Sequence, residues 1–124
     1  MSMIDSPLMR GLERVLNESA FRHQVIATNL ANVDTPGFRT RDVRPFANEI
    51  EQAMWGEGTE TAKFAPVARE VPGLLERPDG NNVSVERESL LLAQNQLRFQ
   101  VAAQFLKAEF HRLSSAISGG GTSA

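Results

Sequence analysis

Ala31-Asn32-Val33-Asp34-Thr35-Pro36-Gly37-Phe38 is a stretch in which a helix cannot continue. Pro36 bars helical geometry at Thr35 and presets the first central position of a β-turn. Gly37 then supplies the positive φ that a type II turn needs at the second. Asn32 is suited to the left-handed backbone that closes a helix. Asp34 and Thr35 can bond their own backbone and hold the turn. A lone Thr-Pro-Gly would mark one more loop. Its weight here comes from what lies on either side.

Upstream, Ser6-Pro7 reads as an N-cap followed by proline at the first helical position. Apolar residues then recur at alternating steps of three and four: Met9, Leu12, Leu16, Ile26, Leu30 and Val33, with the polar Ser19 and His23 in between. Leu8, Val15 and Val25 flank this heptad seam. The pattern predicts an amphipathic helix over 7–31, roughly 37 Å long at 1.5 Å per residue.

Downstream the chain changes character. Arg39-Thr40-Arg41-Asp42-Val43-Arg44-Pro45-Phe46 looks extended, and its arginines suit a solvated face or salt bridges better than a phosphate contact. Phe46 to Trp55 could form a short helix, and Gly56-Glu57-Gly58-Thr59-Glu60-Thr61 reads as a mobile tip. Pro66, Pro72 and Pro78 interrupt residues 62–83, where a short β piece fits near Lys63–Ala68. Acidic side chains outnumber basic ones between 33 and 83, while the two ends are nearly balanced. This middle is expected to behave as an exposed insert.

A second turn cluster, Asp79-Gly80-Asn81-Asn82, precedes Ser84, which reads as an N-cap with Glu86 and Glu88 in the first turn. The helix predicted from there to Ser118 carries a seam of Val85, Ser89, Leu92, Gln96, Phe99, Ala103, Leu106, Phe110, Leu113 and Ile117. Leu90, Leu97, Val101, Phe105 and Ala108 add a second stripe, and Gly119-Gly120-Gly121 ends the helix. The expected fold class is therefore mainly α: two long terminal amphipathic helices pairing as an antiparallel coiled coil, with an irregular, partly β or flexible central insert. Residues 1–33 and 84–118 would make one discontinuous coiled-coil domain, 34–83 the insert and 119–124 a flexible tail.

One such pair can bury a seam from each helix, but not the second stripe as well. A helix apolar over most of its circumference needs neighbours on several sides, and the insert is too polar to supply them. Other chains are expected to cover the remainder, with folding coupled to assembly.

Composition excludes other classes. The 124 residues suffice for one modest domain, and no apolar run approaches the length of a membrane span, so no direct membrane insertion is expected. Residues 1–12 lack the apolar block of a cleaved secretory signal. Without cysteine there is no disulfide, thiolate catalysis or sulfur-ligated metal. A formal charge of −2 gives no electrostatic footprint for nucleic acid. His23 and His111 fall on different helices, and Glu49/Glu51 and Glu86/Glu88 would sit on different helix faces. No catalytic residues, cofactor or metal site are expected.

The run Asn29-Leu30-Ala31-Asn32-Val33-Asp34-Thr35-Pro36-Gly37-Phe38, between one heptad helix and another at the far end, resembles the N-terminal signature of the bacterial flagellar rod and hook protein family. Asn29, Ala31, Asn32, Asp34, Thr35, Pro36, Gly37 and Phe38 are the residues that carry the match. Arg77-Pro78-Asp79-Gly80-Asn81-Asn82-Val83, Glu86-Arg87-Glu88 and Ala93-Gln94-Asn95-Gln96-Leu97-Arg98-Phe99-Gln100 are similar to the proximal-rod branch of that family. The resemblance covers 8–46 and 77–117.

It implies a non-enzymatic structural subunit of the basal-body rod, the drive shaft that carries torque from motor to hook. It also implies unfolded export through the flagellar type III apparatus without signal cleavage. Partners would be copies of itself, other rod proteins, the inner-membrane ring with its adaptor, and the export apparatus. Met9, Leu12, Leu16, Ile26, Leu30, Leu92, Phe99, Leu106, Phe110, Leu113 and Ile117 would form the assembly seam. Phe46 and Ile50 match the family's short export-gate pattern, and equally suit a helix-face contact. Another rod subunit of the same family, or a soluble helical adaptor holding partner helices in a groove, are the competing readings.

Overall fold

The computed structural model describes residues 6–43 and 66–119. Helix α1 spans Pro7–Ala31 (25 residues). Ser6, in extended backbone, accepts the Met9 N–H on its Oγ at 3.1 Å, so one otherwise orphaned amide of the first turn is satisfied. Helix α2 spans Val85–Gly119 (35 residues), roughly 52 Å. Ser84 caps it: its Oγ accepts from Arg87 N at 3.2 Å and its carbonyl from Glu88 N at 2.9 Å. Between the helices, β1 (Arg41–Val43) and β2 (Ala68–Glu70) pair antiparallel, with Arg41 opposite Glu70 and Val43 opposite Ala68.

The helices run antiparallel. As α1 descends from Asn29 to Ser19 to the Ser6 cap, its partners on α2 ascend from Glu88 to Asn95 to Glu109. The longer α2 therefore runs on past the start of α1, which leaves Phe110 and Ile117 without α1 residues opposite them. Both are exposed.

The pairing corrects the expected seam of α2. The positions that turn inward are Glu88, Asn95, Ala102 and Glu109, seven residues apart. Leu92, Leu106 and Leu113 are half-buried beside them, whereas Ser89, Gln96 and Phe110 are exposed. Phe99 is exposed too, although its spacing suits the seam. On α1 the fully buried set is Met9, Ser19, Ile26 and Asn29, with Leu12, Leu16 and Leu30 half-buried. The inward face lies about one residue round from the expected one, and Glu88 and Asn95 on it find partners across the pair, at Asn29 and Ser19.

The buried set is consequently unusual. Its apolar members are Met9, Ile26, Val43, Val83 and Ala102, and its polar members are Ser19, Asn29, Thr40, Asn81, Asn82, Glu88, Asn95 and Glu109. Charged and amide side chains seldom reach this depth unless paired. The β piece expected near Lys63–Ala68 is found at Ala68–Glu70, where it registers with β1. The expected Phe46–Trp55 helix, the 56–61 tip, Phe46 with Ile50, and Gly120-Gly121 lie outside the described residues.

Candidate functional site: the corner and the outer helix faces

At the end of α1 the chain turns as Pro36 and Gly37 require. Gly37 has φ +75° and Phe38 N–H donates to Thr35 carbonyl at 3.2 Å, closing a β-turn with Pro36 and Gly37 at its centre. Asn32 departs from expectation. Its φ of −106° and ψ of 18° are not left-handed. It ends the helix with its side chain instead: Nδ2 donates to Thr28 carbonyl at 2.8 Å and Oδ1 accepts from Thr35 Oγ1 at 3.0 Å. Further bonds from Val33 N to Leu30 O and Thr35 N to Asn32 O tighten the last turn. Thr35 thus bonds a neighbouring side chain rather than its own backbone, and the carboxylate of Asp34 is exposed.

What holds the corner comes from the second turn cluster. Gly80 N donates to Arg77 O and Arg77 N to Asn81 O, so residues 77–81 form a tight loop with Gly80 at φ +84°. This loop docks on the first turn. Gly37 N donates to Asp79 O at 2.9 Å and Asn82 N to Phe38 O at 3.3 Å. Asn81 Nδ2 donates to Asn32 O and Thr35 O at 2.9 and 2.8 Å, and Arg77 donates to Val33 O. The approach is close: a Cβ on Gly80 would lie 3.3 Å from Gly37 Cα. The two glycines are needed here for different reasons, positive φ at both and space at Gly80.

Beneath the turns lies a buried polar network. Asn29 Nδ2 donates to Arg41 O at 2.7 Å and Glu88 Oε2 at 3.0 Å, while its Oδ1 accepts from Arg41 N at 3.2 Å. Glu88 is 0% exposed, and its other oxygen accepts from Arg87 at 2.7 Å, so the buried carboxylate is paired. Asp42 accepts two bonds from Arg22, each 3.0 Å, and Arg87 lies 3.7 Å from it. Asn82 Oδ1 accepts from Thr40 N at 2.6 Å and its carbonyl from Thr40 Oγ1 at 3.1 Å. Outside this network, Glu70 and Glu76 hold Arg39; the Glu70 bond at 2.8 Å is the main cause that raises the guanidinium pKa.

Of the expected signature residues, Asn29, Asn32, Thr35, Gly37 and Phe38 meet in this clasp, while Ala31, Asp34 and Pro36 are exposed at its edge. Sequence reasoning placed Asn81 and Asn82 in a turn and Glu88 in a first helical turn, but missed their part in the clasp. The signal for them was a run of amides too long for one turn, followed by a carboxylate in a helix-start position.

The opposite face of α2 is bare. Leu90, Leu97, Val101 and Phe105 are exposed, Leu97 and Phe105 by 62% and 61%. Large apolar residues exposed singly need no explanation, but these four lie in a row along one side of the helix. Two grooves border the helix pair. One of about 520 Å³ is lined by Phe21, Val25, Phe38 and Ala68 beneath Arg39 and Arg41. The other, about 450 Å³, lies between Ser19, His23, Asn95, Gln96 and Phe99. Among the described residues, no His, Asp and Glu cluster could hold a metal ion, and no helix is long and apolar enough to cross a membrane.

No protein-family model matches the chain. It is similar to the flagellar basal body rod protein FlgB of Aeromonas hydrophila, 32% identical over 110 residues that cover 79% of this chain and 83% of that one. FlgB of Salmonella typhimurium is 30% identical, with 90% and 94% covered, and FlgB of Bacillus subtilis 28% identical, with 93% and 96% covered. With near-full-length likeness to relatives from such different bacteria, the chain belongs to the FlgB family of flagellar basal body rod proteins.

Proposed function

We propose that this chain is a non-enzymatic structural subunit of the flagellar basal-body rod, which polymerises helically to build the shaft that carries torque from motor to hook. The observation that carries this reading is the bare apolar face of α2 on a chain of the FlgB family. Each exposed leucine or phenylalanine gains about 1.5–3 kcal/mol when fully buried, so the row supports a strong contact between subunits. In this reading residues 1–33 and 84–118 form the inner helical layer of the rod. Residues 34–83 leave that layer at the clasp. The polar, few-membered intrachain core supports a chain that stays weakly folded until neighbours cover it, which suits export in an unfolded state.

Neighbours in this reading are copies of the chain, other rod proteins and the inner-membrane ring with its adaptor, and delivery is by the flagellar type III apparatus. The test is to isolate basal bodies from cells in which an epitope-tagged copy is the only source of this chain. The tag is expected in the rod fraction, and deletion of the gene is expected to stop swimming. Absence of the tag from basal bodies, with swimming intact after deletion, would refute the assignment.

A further inference from the structure

We propose that the buried polar side chains Glu88 and Asn95 set the rotational phase of α2 against α1, and so aim the apolar row at neighbouring subunits. At roughly 100° per residue, Leu90, Leu97 and Val101 lie roughly 200–240° round α2 from Asn95. Facing one side inward thus fixes the other outward. The inward side carries the polar groups. Glu88 bonds Asn29 at 3.0 Å and Asn95 Nδ2 bonds Ser19 carbonyl at 2.8 Å, two heptad-related rungs across the pair. Glu109, seven residues beyond Ala102 on the same face, sits by the Ser6 cap.

A helix free to turn would bury a stripe free of amides and carboxylates against α1, because apolar burial is the larger driving force. Here the stripe of Leu90, Leu97, Val101 and Phe105 is exposed, while Asn95, 3% exposed, is kept inside beside half-buried Leu92 with its Oδ1 unpartnered among the described residues. Stranding a buried acceptor and leaving these leucines in water both cost the single chain stability. Polar groups at core positions of coiled coils specify register and partner at a cost in stability, and that is the role the rungs fill. Alternatives lose because rotation of α2 by a third of a turn would pull Glu88 away from Asn29, and Arg87 away from Asp42. Both stripes offer α1 apolar residues, and these polar residues fix which of them turns inward.

The inference rests on the rod-subunit reading for its purpose but not for its geometry, and the experiment separates the two. The chain has no cysteine, so Leu97→Cys gives a single reporter on the outward stripe. Maleimide labelling of purified L97C is followed in an osmolyte that makes the helices form, alone and with Asn95→Leu. Basal bodies are assayed for incorporation of Asn95→Leu and Asn95→Gln without the reporter. With leucine at 95, α2 is expected to turn its stripe inward, so the reporter thiol labels about fivefold more slowly. Incorporation of N95L falls about tenfold, and N95Q, which keeps the amide, stays near the parent. Unchanged or faster labelling in N95L, or incorporation equal to the parent, would overturn the proposal. If the parent chain itself is missing from basal bodies, the rod reading fails, and the labelling comparison still decides the phase.

Discussion

The corner and the outer face of α2 are built on opposite principles. At the corner nearly every buried polar group has a partner within the chain: Asn29, Asn81, Asn82, Thr40 and Glu88 bond one another or nearby backbone. On the outer face of α2 the row from Leu90 to Phe105 has no covering contact among the described residues. The first region is finished in the monomer and the second is not. A region satisfied internally gives shape, because directional bonds allow one geometry. A region left apolar gives affinity without direction. A subunit that must join others in a fixed orientation needs both, and this chain carries them in separate regions.

The largest break in that comparison comes from charging the bare face. Leu97→Asp with Phe105→Asp removes two buried apolar contacts per interface, about 3–6 kcal/mol at 1.5–3 kcal/mol each, before any cost of desolvating carboxylates. Assembly, scored as rod-containing basal bodies or as swimming, is expected to fall below detection. Hydrogen-exchange protection of the corner amides in the purified chain should not change, since neither residue touches the clasp. Equal damage to both readouts would show that the outer face is part of the intrachain fold after all.

A smaller break comes at the clasp, where the two glycines should differ. Gly37 needs positive φ but has open space, with nothing within 4 Å of a built Cβ. Gly80 needs positive φ and would also press on Gly37 Cα at 3.3 Å. Gly37→Ala is expected to cost about 1 kcal/mol. Gly80→Val should cost roughly 2–3 kcal/mol, strain plus displacement of the facing backbone. Exchange of the backbone amides at position 37 and at Asn82, whose N–H groups bond across the clasp, reads this directly. The valine variant should exchange roughly 30- to 150-fold faster than the parent and the alanine variant roughly fivefold. The reverse order would mean the loops are not packed glycine on glycine. For assembly, Gly37→Val should spare secretion but block incorporation.

How far the sequence reveals this design follows the same division. Both helices, the Ser6 and Ser84 caps and the positive φ of Gly37 are readable because local spacing and local backbone chemistry determine them. The inward phase of α2 is not readable that way. Two apolar stripes run along the helix, and the choice between them rests on Glu88 and Asn95, whose partners lie 59 and 76 residues away. The mode of helix closure at Asn32 was obscured for a related reason. An amide can close a helix with its backbone or with its side chain, and Thr35 and Asn81 together favour the second. The strand β2 likewise sits where Val43 pairs with Ala68, a register no window around residue 68 contains.

The smallest expected effect lies at the far rung. Arg112 bonds both oxygens of Glu109, at 2.7 and 3.1 Å, and this is the main reason the Glu109 pKa is lowered; Ser6 contributes less. A carboxylate with a lowered folded-state pKa stabilises the fold above its ordinary pKa of 4.5 and loses that contribution as pH falls through the folded value. Acidification below about 4.5 should therefore loosen this turn of α2, and the start of α1 only through the lesser Ser6 contribution, while the clasp amides keep their protection. Arg112 is largely solvated, so the effect is modest and shrinks further in salt. Glu109→Gln should behave at neutral pH as the parent does in acid and show no further change there. Exchange at the Met9 and Arg10 amides, bonded to the Ser6 cap, reports it locally. An acid response that persists undiminished in the glutamine variant would place the sensitive carboxylate elsewhere.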